Sequence, residues 1–231
     1  VSSIYLDHAA ASPFHPKAVA AFQAACEVHF ANPSAPHMAG QKAEHALRES
    51  RLRVAKLLGV TPREIVFTSN ATEANNLALR GAALGAKRMG KGNHILVSAV
   101  EHPAVLATAQ HLASHFEFEF DRVPVNSDGT PNVEKLKELL RPTTVLVSII
   151  HGNNEVGTMA PLAEIAALCQ SKNILLHTDA AQSCAWENIN ASLLGANLLT
   201  ASGRKLGAPG GGFLYVREGT PITPILTGGG H

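Results

Sequence analysis

Short apolar runs alternate with longer amphipathic stretches along most of this chain, and that alternation limits the folds open to it. Glu64-Ile65-Val66-Phe67-Thr68, Ile95-Leu96-Val97-Ser98, residues 145–150 and Ile174-Leu175-Leu176-His177-Thr178 have strand length and strand composition. Ala196-Asn197-Leu198-Leu199 is a further run, and Phe213-Leu214-Tyr215-Val216 follows closely enough to pair antiparallel beside it. Phe116, Phe118 and Phe120 alternate with Glu117, Glu119 and Asp121, the pattern of a strand with one wet face. Helices are expected between these runs, over 16–30, 41–58, 103–115, 133–140 and 161–171. Another opens at Asn70 and runs to about Leu84, with Glu73 placed to complete a capping box. Gly59 is placed to stop the second helix, and Pro16 is tolerated in the first turn of its own. The class is therefore α/β: a mainly parallel seven-stranded sheet with helices on both faces. Residues 1–15 read as an N-terminal arm with one short strand at Ile4-Tyr5-Leu6. Residues 16–231 read as one domain without repeat or linker.

Composition excludes several classes of function. A net charge of +1 gives no electrostatic case for nucleic acid or a membrane surface as partner. No apolar run approaches the ~20 residues of a spanning helix. Three widely spaced cysteines (Cys26, Cys169, Cys184) with no CxxC argue against disulfides and thiolate zinc, and for a reducing compartment. The expected location is the cytoplasm, or the mitochondrial matrix in a eukaryotic cell. His111 and His115 lack the glutamate of H-E-x-x-H and read as a solvated helix face, so no metal site is expected. Gly210-Gly211-Gly212 precedes a strand rather than a helix, which argues against a dinucleotide fingerprint.

What remains is a set of polar clusters, each directly behind an apolar run. In an open parallel sheet such positions share the carboxyl edge, where ligands bind. Thr68-Ser69-Asn70-Ala71-Thr72, Glu101-His102, Gly152-Asn153-Asn154-Glu155, Asp179-Ala180-Ala181-Gln182 and Ser202-Gly203-Arg204-Lys205 are the five. Taken singly they read as caps, turns and a surface lysine. Taken together they hold a lysine able to condense with an aldehyde and an acid able to keep a pyridine nitrogen protonated. Those are the two protein groups that pyridoxal phosphate (PLP) chemistry requires. The helix start at Ala71 and Thr72 suits a phosphate. Ser202 can add a hydroxyl and Arg204 a fixed positive charge to the same phosphate. Asp179 would hold the ring nitrogen, His102 would stack on the ring and move protons, and Asn154 and Gln182 would bond the ring hydroxyl or the substrate. Lys205 would hold the cofactor at rest and then carry the substrate α-proton.

Beyond these spacings, the chain resembles the cysteine desulfurases, with selenocysteine lyases as close relatives. The resemblance is carried in order by Tyr5-Leu6-Asp7-His8-Ala9-Ala10, Asn32-Pro33-Ser34 and Phe67-Thr68-Ser69-Asn70-Ala71-Thr72-Glu73-Ala74-Asn75-Asn76. It continues through Glu101-His102, Asn153-Asn154-Glu155-Val156-Gly157, His177-Thr178-Asp179-Ala180-Ala181-Gln182 and Ser202-Gly203-Arg204-Lys205. It implies the large domain of a fold-type I PLP enzyme of the class V aminotransferase group. The implied reaction takes L-cysteine to L-alanine and passes sulfur on as a persulfide, for iron-sulfur cluster or thio-cofactor assembly. It also implies a homodimer, a sulfur-acceptor protein as partner, and catalytic roles for Lys205 and His102. The cofactor-binding set it implies is Ala71, Thr72, His102, Asn154, Asp179, Gln182, Ser202, Arg204 and Lys205. Alternatives are a selenocysteine lyase or another PLP lyase, or a non-catalytic PLP-fold module that binds a partner. Two departures stand out. Arg204 replaces the usual histidine before the lysine, and the family continues well beyond the Gly-Gly-Gly-His matched by Gly228-Gly229-Gly230-His231. That continuation carries the small domain and the mobile loop with the nucleophilic cysteine. This chain alone is therefore expected to lack desulfurase turnover.

Overall fold

A computed structural model describes residues 3–228 of the chain. Val1, Ser2 and the Gly229-Gly230-His231 end of the family match lie outside them. The elements run α1 (Pro16–Val28), α2 (Met38–Leu58), β1 (Ile65–Thr68), α3 (Ala71–Arg88), β2 (His94–Ser98), α4 (Pro103–Phe116) and β3 (Glu119–Val123). They continue with α5 (Val133–Leu139), β4 (Thr144–Ser148), α6 (Leu162–Ser171), β5 (Leu175–Asp179), α7 (Ala191–Leu194), β6 (Leu198–Ser202) and β7 (Gly212–Val216). All seven strands form one sheet in the order β1-β7-β6-β5-β4-β2-β3. Pairing is parallel from β6 across to β3, and antiparallel only where β7 meets β6 and β1. Every strand but β7 therefore points the same way, and six carboxyl ends share one edge.

The period-2 alternation of side chains sorts each strand between two cores. Leu146, Leu175, Leu198 and Leu214 pack with Ile95 and Val97 under α3 and α4, against alanines such as Ala78, Ala82, Ala109 and against Leu112. On the opposite face Leu96, Val147, Ile149 and Leu176 meet Leu136 of α5 and Leu162, Ile165 and Cys169 of α6. At the β1 end of that face, α2 contributes Ala55 and Leu58 against Ile65, Leu199 and Tyr215. The alanine-rich face of α3 lets the helix lie close to the sheet, and this sets the height of its N-terminus above the strand ends.

On the α3 face the strands stack in layers. Above the leucine layer, Ser148, His177 and Thr200 form a buried polar row. His177 Nδ1 lies 2.8 Å from Ser148 Oγ and its Nε2 3.1 Å from Thr200 Oγ1. Burial holds this imidazole neutral, with its pKa lowered to about 3. The next layer up carries Ile150, Asp179 and Ser202.

Local signals in the sequence explain the element ends. Gly59 takes the left-handed conformation (φ 67°) that stops α2. Gly212 starts β7 where a Cβ would stand 2.8 Å from the Asn70 carbonyl carbon and 2.9 Å from the Ala201 oxygen. Only glycine fits there without displacing the turn that opens α3.

Three expectations need correction. Ile4-Tyr5-Leu6 forms no strand: no sheet edge lies beside it, and Ile4 and Leu6 are 82% and 86% exposed. The Phe116–Asp121 alternation does not start a strand at Phe116, because α4 runs through that residue and Glu117 turns left-handed (φ 56°). The strand begins at Glu119, after Phe118 has gone into the core. The capping box at Asn70 closes one residue early. Asn70 Oδ1 accepts from the Glu73 amide at 2.8 Å, but the Glu73 carboxylate takes the Ser69 amide at 2.7 Å rather than that of Asn70.

Candidate active site

The carboxyl ends of β1, β2, β4, β5 and β6 border a cleft of about 340 Å³, within the usual range for small-ligand sites. One part of its wall is built by the start of α3, with Asn70, Ala71 and Thr72. Asn70 satisfies the Glu73 amide through its side chain and the Ala74 amide through its carbonyl. The amides of Ala71 and Thr72, both in the cleft wall, have no acceptor among the described residues. These unsatisfied N–H groups and the helix dipole favour an anion. Ser202, at the end of β6, and Arg204, in the turn beyond it, line the same cleft. Arg204 is exposed, so its charge is available but screened.

The floor is Asp179, only 4% exposed at the last position of β5. Its Oδ1 accepts from the Ala181 amide at 2.9 Å and its Oδ2 from Asn75 Nδ2 at 2.6 Å. Burial raises its pKa, while the Ala181 amide, Asn75 and the nearby His102 act against the rise. A buried carboxylate of this kind is best stabilised by a cationic N–H donor placed in the cleft.

The side walls come from four elements. His102 is the N-cap of α4; its Nδ1 accepts from the Ala104 amide at 3.0 Å, which leaves Nε2 as the proton-bearing nitrogen. Asn154 follows β4, and its amide group donates to Glu155 Oε1 at 2.6 Å, leaving the side-chain oxygen for a ligand. Gln182 follows β5 and makes no side-chain capping bond. Lys205 is half-buried, and its Nζ donates to the carbonyls of Ala9 and Ala10 in the arm. Burial and the Arg204 guanidinium lower its pKa, and Asp7 opposes them. A lysine so placed holds more of its neutral, nucleophilic form than a surface one.

All nine residues singled out in the sequence thus border one cleft. Of the six further lining residues, Asn75, Ala9 and Ala10 bring polar groups that the sequence reading left without a role. Asn75 sits one turn after Ala71 on α3, and this i, i+4 spacing is the signal that would have put it on the cleft face. Ala9 and Ala10 approach through backbone carbonyls, which leave no mark in a sequence. Conversely, none of the three cysteines lines the cleft. Burial pushes the thiols of Cys169 and Cys184 up to about 12, and Cys26 is exposed on α1. The His111 and His115 rings stack on the surface of α4 with centroids 4.4 Å apart. Among the described residues no group of three metal-ligating side chains converges, and no helix is long and apolar enough to cross a membrane.

The donor set fits pyridoxal phosphate. It offers an anion-binding helix start, a buried carboxylate for a protonated ring nitrogen, a flanking imidazole and an amine of lowered pKa. Asn75 Oδ1, buried with no partner, adds an unused acceptor in the same wall.

Comparison with known proteins agrees with this. The family model described as aminotransferase class-V matches residues 4–231. Cysteine desulfurase IscS of Dictyoglomus turgidum is 39% identical over 227 residues, which cover 98% of this chain and 57% of that protein. A solved NifS-like protein superposes with a TM-score of 0.93 at 34% identity, covering 98% of this chain and 62% of the other. A structure of SspA in complex with cysteine superposes at 0.91 with 36% identity, over 99% of this chain and 66% of that one. The chain spans a little over half the length of the desulfurase it matches.

Proposed function

Since the chain belongs to the aminotransferase class-V family, we propose that its cleft binds pyridoxal phosphate and serves desulfuration of L-cysteine to L-alanine, with sulfur leaving as a persulfide on an acceptor thiol. The observation that carries this reading is that the Lys205 amine and the buried Asp179 carboxylate border the same cleft, with His102 between the strand ends and the α3 N-terminus at one end. The likeness to cysteine desulfurases and to a protein solved with cysteine supports the substrate class. When bound, pyridoxal phosphate supplies an aldehyde that condenses with amines and a cationic ring that withdraws electrons from the substrate α-carbon.

Each residue then has a stated task. The amides of Ala71 and Thr72, the Thr72 and Ser202 hydroxyls and the Arg204 guanidinium hold the phosphate. Asp179 keeps the ring nitrogen protonated, and Asn75 and the Ala181 amide hold Asp179 in place. Lys205, whose amine donates to the Ala9 and Ala10 carbonyls, would hold the cofactor and would take the substrate α-proton. His102 would flank the bound cofactor, and its Nε2 would move protons at the substrate. Asn154 and Gln182 orient the ring hydroxyl or the substrate. We take residues 16–231 as the large, cofactor-binding domain, and a second copy of the chain as partner in a homodimer. Three unpaired cysteines support a reducing compartment, the cytoplasm.

A second reading is favoured by one observation, the lack of a thiol in the cleft wall. Residues 1–231 then hold the cofactor without completing sulfur transfer, or serve a lyase that needs no protein thiol. Borohydride reduction of the PLP-treated protein, followed by peptide mapping, tests the cofactor reading. The label is expected on Lys205 and absent from Lys205→Ala; a label elsewhere, or none, would overturn it. Alanine release from cysteine, with a reductant as sulfur acceptor, decides between the two readings.

A further inference from the structure

Glu101 is the one buried acid at the carboxyl edge that the chemistry above leaves without a task. It is 6% exposed and directly precedes His102. Its Oε1 accepts from the amide of Ile150, two residues beyond β4, and its Oε2 has no partner among the described residues.

The place of that bond in the topology is informative. From β2 the chain moves outward to β3, whereas from β4 it moves the other way, to β5 and β6. The helix after β2 packs on one face of the sheet and the helix after β4 on the other. The backbones leaving β2 and β4 therefore part company, and their ladder stops at Val97 and Ser148. A crevice at such a switch point is where ligands of open α/β sheets bind. Something must fix its width, because His102 stands on one lip and Ile150 on the other, and both line the cleft. Glu101 supplies a hydrogen bond across the gap, and Asn153 Nδ2 adds a weaker one to the Val100 carbonyl at 3.3 Å.

We propose that Glu101 is a positioning residue for the cofactor site: its side chain ties the β2–α4 turn to Ile150 across the switch point and thereby sets the place of His102 relative to Asp179. This rests on the cofactor reading given above. Burial and the neighbouring Asp179 carboxylate push the Glu101 pKa well up, with the Ile150 and Ser98 amides acting against the rise. The neutral acid is thus the form that the fold favours at this position. Glutamine reproduces such an acid: a carbonyl oxygen for Ile150 and an N–H donor where the acid has its O–H. Alanine removes the tie, and aspartate keeps the acid but shortens its reach.

The experiment compares wild type, Glu101→Gln, Glu101→Ala and Glu101→Asp, with circular dichroism as a check on folding. Hydrogen exchange at the Ile150 amide is measured on the free protein, and pyridoxal phosphate affinity by titration of the visible absorption. Ile150 exchange should speed up about tenfold or more in the alanine and aspartate variants, and affinity should fall about tenfold. Both should stay within about twofold of wild type in Glu101→Gln. Should Glu101→Ala fail to fold, Glu101→Asp carries the comparison. The proposal is overturned by wild-type affinity in a variant whose Ile150 amide has been freed, by unchanged Ile150 exchange in both, or by a glutamine variant as impaired as alanine. If wild type takes up no cofactor while Ile150 responds as expected, the cofactor reading falls and takes the positioning role with it, leaving only the tether.

Discussion

The cleft has two walls of different construction. One is the sheet edge with the start of α3, where Asp179, Asn75 and Glu101 are buried and sit at the ends of strands or on a packed helix. The other is the arm of residues 3–15, which reaches the cleft at Ala9 and Ala10; Ile4 and Leu6 stand largely in solvent, and no residue of α1 behind it is buried. The arm meets the site through few bonds: the Lys205 amine on Ala9 and Ala10, and the His15 amide on the Gly207 carbonyl at 2.8 Å. The sheet wall thus stores the chemistry in a rigid element, and the arm wall adjusts around it. Local stability scales with such burial, so opening should be confined to the arm.

The largest effect expected from breaking this contrast is at Asp179. On the proposed cofactor reading, replacing it by asparagine would remove a charge-assisted partner of the ring nitrogen, which costs about 1.5–3 kcal/mol and should weaken pyridoxal phosphate about ten- to a hundredfold. The free protein should nevertheless melt no lower, because folding raises the pKa of Asp179 and so disfavours its charge. A thermal scan of the two free proteins checks this; a large drop in midpoint would show the carboxylate to be structural.

Next comes acid sensitivity of the sheet wall. His177 is neutral in the fold with a pKa of about 3, against 6.5 ordinarily. Its contribution is complete above pH 6.5 and is lost as pH falls toward 3, amounting to about 2 kcal/mol by pH 5. Glu101, whose acid form the fold prefers, works in the opposite sense as pH falls toward its ordinary value of 4.5. The difference in urea midpoint between wild type and His177→Gln across pH 7 to 5 isolates the histidine, and should shrink as pH falls. A constant difference would mean that the ring is charged or exposed.

A smaller effect is expected at Arg204. Its exposure limits the charge to about 1 kcal/mol, so Arg204→Ala should weaken cofactor binding about fivefold, and less in high salt. The smallest lies in the arm. The Tyr5 hydroxyl lies 2.8 Å from the carbonyl oxygens of both Asp7 and Ala11, and its single proton serves one of them at a time on a half-exposed ring. Tyr5→Phe should change unfolding by less than about 0.5 kcal/mol yet speed proteolysis within the arm. A large loss of stability would show that the arm is as firmly built as the sheet.

The same contrast explains what could be read in advance. Strands β1, β2, β4, β5 and β6 were legible because each is a short apolar run ended by a polar cluster, and parallel pairing sends all those ends to one edge. Lys205, Asp179 and His102 followed from that rule. Asn75 was missed because its partner Asp179 lies across the sheet, and only α3 packing brings the two together. The Ala9 and Ala10 carbonyls belong to backbone, where side-chain chemistry gives no warning. Ile4-Tyr5-Leu6 has strand composition, but a strand also needs a free edge beside it, which composition cannot supply. Phe116 misled for a related reason: its alternation with Phe118 and Phe120 crosses a helix end.

The antiparallel strand β7 is wedged between β1 and β6, so β1 touches the rest of the sheet only through a segment made long after it. During synthesis the ribosome must release β7 before β1, and with it the anion-binding start of α3, can settle into position. Ligand capture is therefore expected to mark the close of folding rather than guide its early steps, and nascent chains stalled before Gly212 should carry no cofactor.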